Sequence, residues 1–167
     1  MLTWQQTRHG LAVTGLGDQA LLGVPMTAFF ASRQCPGTAI RAAMNWALQQ
    51  ARERAVVVSG FHSPLEQSVL KVLLEAHSPV VAVLARPVAG ARLRPECTDP
   101  MAQGRMAVVS VAVATMRLTH EAASARNEQV AQLADRIAVA YASPGGALAA
   151  LQVRWQTAGR QLLTLSN

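Results

Sequence analysis

The sequence predicts an α/β domain: a three-layer, doubly wound, mostly parallel sheet with helices on both faces. Short apolar runs rich in β-branched residues alternate with longer segments whose apolar residues recur at three- and four-residue steps. The runs show no polar alternation, as expected of strands covered on both sides. Hydrophobic residues make up 51% and charged residues 14% of 167 positions, which excludes intrinsic disorder. A chain of this length can bury about 70% of its unfolded surface. Only 4% is aromatic, so the expected core is aliphatic.

Taken in order, a weak run at Leu11–Thr14 precedes a buried strand at Thr27–Ala31. From Thr38 to Arg54, Ile40, Ala43, Met44, Ala47, Leu48 and Ala51 fall on one helical face. Ala55–Val58 reads as the next strand. Ser63, Pro64 and Glu66 then form a helix start, with a cap, a proline in the first turn and a capping-box acid. Val69, Leu70, Leu73 and Leu74 supply that helix's buried stripe. Val80–Leu84 is a strand, Arg86–Pro100 a loop, and Met106–Val113 a further strand. Thr119–Leu133 is expected to be helical, Ile137–Tyr141 a strand, Ala147–Thr157 a helix and Gln161–Leu165 a final strand. Residues 1–167 read as one domain, with 1–25 a weaker N-terminal extension or edge strand. Trp46 and Trp155 fall in helical patterns and are expected to pack in the core or an interface.

The net charge is +6, and Lys71 is the only lysine. Guanidinium forks grip phosphates and carboxylates bidentately, so this composition fits an anionic ligand, although codon usage alone can also enrich arginine. Met1–Gly10 has no apolar leader pattern. The longest uncharged run, Ile137–Val153, is interrupted by Ser143-Pro144-Gly145-Gly146 and falls short of the roughly 20 residues a membrane span requires. Cys35 and Cys97 lack metal-ligand spacing and read as free thiols of a reducing compartment. A cytoplasmic protein with no metal, no cofactor and no membrane partner is expected.

In doubly wound sheets, ligands bind beyond the carboxyl ends of the strands, where helix N-termini point. Three strand-to-helix turns there can receive an anion. Ser32-Arg33-Gln34-Cys35-Pro36-Gly37 combines a fixed cation with a glycine at a helix start, though Pro-Gly is also an ordinary turn. In Ser59-Gly60-Phe61-His62-Ser63, Gly60 permits close backbone approach, and Ser63 either caps the helix or bonds a phosphate. Phe61 can pack inward and His62 can be an exposed histidine. His62 and Glu66, four apart without a third ligand, do not suggest a metal site. Ser143 with Gly145 and Gly146 forms the third turn, or a plain tight turn. Arg126-Asn127, from the preceding helix, can reach the same edge or form a solvated face, and Arg86 sits at a strand end. P-loop, G-x-G-x-x-G and G-x-S-x-G signatures are absent from the sequence, against ATPase, dinucleotide-dehydrogenase and α/β-hydrolase readings.

Phe30-Ala31-Ser32-Arg33 followed by Gly37, the strand Val56-Val57-Val58 running into Ser59-Gly60, the Arg126-Asn127 helix and the Ser143–Gly146 turn occur in that order. In these residues the chain resembles the DprA/Smf branch of the Rossmann-like superfamily that also contains the LOG proteins. The likeness runs from about Met26 to Leu165 and points to a compact subgroup. It implies a Rossmann-like fold and a non-catalytic binding protein for a nucleotide or single-stranded DNA in DNA processing and recombination. Together with the three turns, this gives as expected ligand contacts Ser32, Arg33, Gly37, Ser59, Gly60, Phe61, His62, Ser63, Arg86, Arg126, Asn127, Ser143, Gly145 and Gly146, with no catalytic residue. Where that family carries an Ala-Arg-Gly-Ile-Asp type loop, this sequence has Phe61-His62-Ser63-Pro64-Leu65.

Two alternatives stand beside this reading. One is a LOG-like nucleotide phosphoribohydrolase with a relocated acid, since Ala147-Leu148 stands where those enzymes continue to a catalytic Glu. The other is a regulatory interaction subunit. A homodimer is compatible with each.

Overall fold

The computed structural model describes residues 2–111 and 120–165. Eight strands form one sheet in the order β1-β2-β6-β5-β4-β3-β7-β8. They are β1 (Trp4–Arg8), β2 (Leu11–Gly17), β3 (Met26–Ala31), β4 (Val56–Ser59), β5 (Val80–Val83), β6 (Met106–Val111), β7 (Arg136–Tyr141) and β8 (Leu162–Thr164). The six strands from β6 to β8 run parallel, whereas β2 joins β6 and β1 joins β2 antiparallel. The helices are α1 (Gly37–Glu53), α2 (Pro64–Glu75), α3 (Pro95–Ala102), α4 (His120–Leu133) and α5 (Ala147–Thr157). This is the three-layer, Rossmann-like arrangement that the alternation of runs predicts.

Strand residues alternate between two cores, and both cores are apolar. Phe29, Val57, Val80 and Ala82 face α1, α2 and α3. Phe30, Val58, Val81 and Val83 face α4, α5 and the 3-10 turn Gln19–Gly23. Trp46 and Trp155 belong to these cores. Trp46 stacks on Phe29 with centroids 5.2 Å apart, and Trp155 packs on Phe30 at 4.8 Å.

The helix over 38–54, the capped start at Ser63 and the helix over 147–157 appear at or within one residue of their expected bounds. One strand is added at the sheet edge, and two expectations need revision. A first strand, β1, turns into β2 through His9 and Gly10, both with positive φ. This two-residue turn suits a hairpin, but β1 is half exposed and reads as polar. Arg8 anchors the hairpin through the Leu22 and Leu133 carbonyls and the Asp135 carboxylate. The presumed loop Arg86–Pro100 contains the start of α3, with Pro95 in its first turn and Pro100 inside it, a composition that masks a helix. The last strand spans only Leu162–Thr164. Val113 and Thr119, expected at element ends, lie outside the described residues.

After β3 the chain moves outward through β4, β5 and β6, then returns to lay β7 on the other side of β3. The topological switch point lies between β3 and β7. The three candidate turns follow the adjacent parallel strands β4, β3 and β7, so they occupy one edge of the sheet.

Candidate functional site

At the switch point, Ser32 ties the first and third turns together. Its backbone N–H donates to the Tyr141 carbonyl at 2.9 Å, and its Oγ accepts the Ser143 N–H at 2.8 Å. Two helices start beside this junction without a side-chain cap: α1 behind Pro36 and α5 behind Gly146. Gly145 has φ +75°, a conformation that favours glycine, whereas a Cβ on Gly37 would meet nothing. Arg33 is exposed beside this junction.

The second turn is organised internally. Ser59 is fully buried, and its hydroxyl oxygen accepts the Phe61 N–H at 3.1 Å. Phe61 packs into the core with φ +48°. Glu66, buried on α2, accepts the Ala31 N–H through Oε2 and the His62 and Ser63 N–H groups through Oε1. Ser63 Oγ completes the capping box by accepting the Glu66 N–H. The amide donors of Phe61, His62 and Ser63 are therefore committed to protein partners, and the carboxylate of Glu66 occupies the anion position at the α2 N-terminus. What this turn offers a ligand is side-chain charge.

That charge comes largely from elsewhere in the chain. Arg126, on α4, is buried, and its Nε lacks a hydrogen-bond partner. Its guanidinium lies against Gly60, where a Cβ would stand 2.5 Å from Nε and 3.0 Å from Cδ and Cζ. Only glycine leaves room for it. Arg126 and Gly60 border a cavity of about 270 Å³ together with Phe61, His62, Arg86, Arg92 and Arg94. Its apolar wall includes Leu70, Ala82, Cys97, Met106 and Val108. The lining holds four arginines and one histidine and no carboxylate among the described residues.

Burial pushes the Glu66 carboxyl up, against the opposing pull of three backbone N–H donors and Arg126. Burial likewise lowers the Arg126 guanidinium, which Glu66 partly restores. The His62 imidazole is held below its usual range by partial desolvation and then by Arg126, Arg33 and Arg94.

Of the expected residues, Gly60, Phe61, His62, Arg86 and Arg126 line the cavity. Ser32 and Ser143 meet at the switch point, with Arg33, Gly37, Gly145 and Gly146 in the same two turns. Ser59 and Ser63 are interior supports. Asn127, next to Arg126, is half-buried and outside the cavity lining. Sequence reasoning missed Arg92 and Arg94 and read Glu66 only as a cap or a stand-in acid. The signal for the arginines was Arg86, Arg92 and Arg94 within nine residues.

The model of the DNA recombination-mediator protein A family matches residues 5–166 of this sequence. The chain belongs to that family. DNA processing protein A (DprA) from Helicobacter pylori, described for its unique single-stranded DNA binding mode, superposes with a TM-score of 0.76 at 16% identity, over 96% of this chain and 78% of that one. DprA from Streptococcus pneumoniae superposes with a TM-score of 0.72 at 19% identity, over 90% of this chain and 53% of that one. The present chain thus spans about half the length of the pneumococcal protein. The molybdenum cofactor carrier protein from Chlamydomonas reinhardtii is more distant, with a TM-score of 0.56, 13% identity, and coverage of 83% and 74%. At these identities the likeness is one of fold. No curated protein matches the sequence. The Gly60 turn itself carries no arginine, and α4 delivers Arg126 to it. Among the described residues no helix is long and apolar enough to cross a membrane.

Proposed function

We propose that the protein binds single-stranded DNA without altering it covalently, as a recombination-mediator module whose phosphate contacts centre on the arginine-lined cavity. The observation that carries this reading is the buried Arg126 held against Gly60 within a lining of four arginines and no carboxylate. Guanidinium groups clustered at a water-accessible edge attract a polyanion and gain charge-assisted hydrogen bonds from phosphates. Exposed Arg33, Arg86, Arg92 and Arg94 carry the strand, and Arg126 anchors it. A hydrolytic role for Glu66 is opposed by its geometry, because both oxygens already accept backbone N–H groups.

The test is fluorescence anisotropy with a labelled oligothymidylate of about 30 nucleotides across a range of salt concentrations. Single-strand binding loses affinity with salt at a log–log slope of about −0.7 per phosphate neutralised. Arg33→Ala and Arg94→Ala are each expected to make that slope shallower by about 0.7. Absence of binding at low salt overturns the reading. Binding of a mononucleotide in its place would favour the second reading, which the small cavity supports, since about 270 Å³ approaches the lower end of small-molecule sites.

A further inference from the structure

We propose that His62 makes strand binding proton-linked: the imidazole is neutral in the free protein and takes up one proton when a polyanion enters the arginine-lined cavity. This rests on the reading of that cavity as an anion site and adds its regulation. The geometry begins with a fixed backbone. The His62 N–H donates to Glu66 Oε1 at 2.9 Å, and the His62 carbonyl accepts Gln67 Nε2 at 3.0 Å, so the ring is presented from a pinned turn at the cavity lining.

Among the described residues, the elements around the ring present mainly cations. Arg126 comes from α4, Arg33 from the turn after β3, and Arg94 from the start of α3, all close enough to depress protonation of the ring. Arg86 and Arg92 line the same cavity from the segment between β5 and α3. The Cys97 thiol in the lining is pushed up by burial and stays neutral. Among the described residues, Glu66 is the one carboxylate in contact with the turn, and both its oxygens already accept backbone N–H groups, from Ala31, His62 and Ser63. An imidazolium in the free protein would therefore meet several positive charges and, among the described residues, the single carboxylate of Glu66. A phosphate among these arginines removes that repulsion and supplies the acceptor, so the ring protonates as the ligand binds. His9, which pairs with Asp135, and His77, in the α2–β5 connection, both lie outside this cavity.

The sign follows from linkage. A group that is more basic in the complex than in the free protein takes up a proton on binding. Affinity therefore rises as pH falls through the interval between the two titrations, by up to about tenfold per pH unit for one proton. The experiment measures the dissociation constant for oligothymidylate, whose base does not titrate in this range, from pH 5.5 to 8 at fixed ionic strength. A parallel NMR titration follows the His62 ring with and without inorganic pyrophosphate. Expected are an affinity that strengthens towards acid pH, a profile flattened by His62→Gln, and an upward displacement of the His62 titration by pyrophosphate. A pH-independent affinity in the wild-type protein, or a profile of unchanged slope in His62→Gln, overturns the proposal. If the oligonucleotide fails to bind at any pH, the DNA reading falls, and the pyrophosphate titration alone decides for or against His62.

Discussion

Replacing Gly60 by alanine separates the cavity's chemistry from the stability of the fold. The added methyl carbon would lie 2.5 Å from Arg126 Nε and 3.0 Å from Cδ and Cζ. Ordinary contact requires the guanidinium to retreat by about 1 Å, since carbon and its neighbours pack optimally at roughly 3.5–4.0 Å. Gly60 does not have positive φ, so alanine meets no backbone penalty, and the whole cost falls on Arg126. Because Arg126 is 6% exposed, it cannot simply swing into solvent, and overpacking of this kind costs about 1–3 kcal/mol. In binding, displacing a charge-assisted contact worth about 1.5–3 kcal/mol weakens DNA affinity by roughly 10- to 100-fold. Arg126→Ala removes the same contact and also empties the space that alanine at position 60 would invade. The two substitutions are therefore coupled. In the double variant, Gly60→Ala should add almost nothing to the loss of affinity, with an interaction term of about 1–3 kcal/mol. Anisotropy gives the affinities, and urea denaturation gives the stabilities of the four proteins in the cycle. Additive losses in affinity would mean that Gly60 and Arg126 serve the ligand independently, and would overturn the coupling.

Two further outcomes follow from the supports of the site. Ser63→Ala removes the oxygen that accepts the Glu66 N–H at the start of α2 and should lower stability by about 1 kcal/mol, a loss of about 2–4 °C in melting temperature. An unchanged melting curve would show that the capping box contributes nothing. Asp135, which accepts the Met26 N–H and pairs with Arg8 and His9, is held below the usual carboxylate range by that hydrogen bond, Arg8 and His9, against partial burial. A depressed acid contributes stability above its unfolded-state titration and loses it as pH falls. The wild-type protein should therefore lose stability below about pH 4 more steeply than Asp135→Asn, as followed by circular dichroism, and parallel acid profiles would contradict that assignment.

The order of elements was legible because its signals are local. Runs such as Val56–Val58 and Val80–Val83 are apolar at every position, since each strand is covered on both faces. The Ser63-Pro64-Leu65-Glu66 helix start is written within four residues, and the structure reproduces it as a full capping box. Elements whose stability comes from distant partners were hidden. β1 is held by β2 and by Arg8 reaching Leu22, Leu133 and Asp135, and α3 forms despite Pro100 in its interior because Cys97 and Met101 pack into the core.

By itself the sequence determined the α/β class, the placement of three turns after β3, β4 and β7, and the excess of arginine over carboxylate. These follow from residue type and short-range periodicity, which act within one or two turns of chain. Only the tertiary structure decided which charges meet. It brought Arg126 to Gly60 across 66 positions, gathered Arg86, Arg92 and Arg94 around the same cavity, and turned Glu66 from a cap into the tie between β3 and the β4–α2 turn. The meetings of Arg126 with Gly60 and of Glu66 with β3 depend on strand order and helix packing, which place residues distant in sequence within a few ångströms, and no local spacing encodes them.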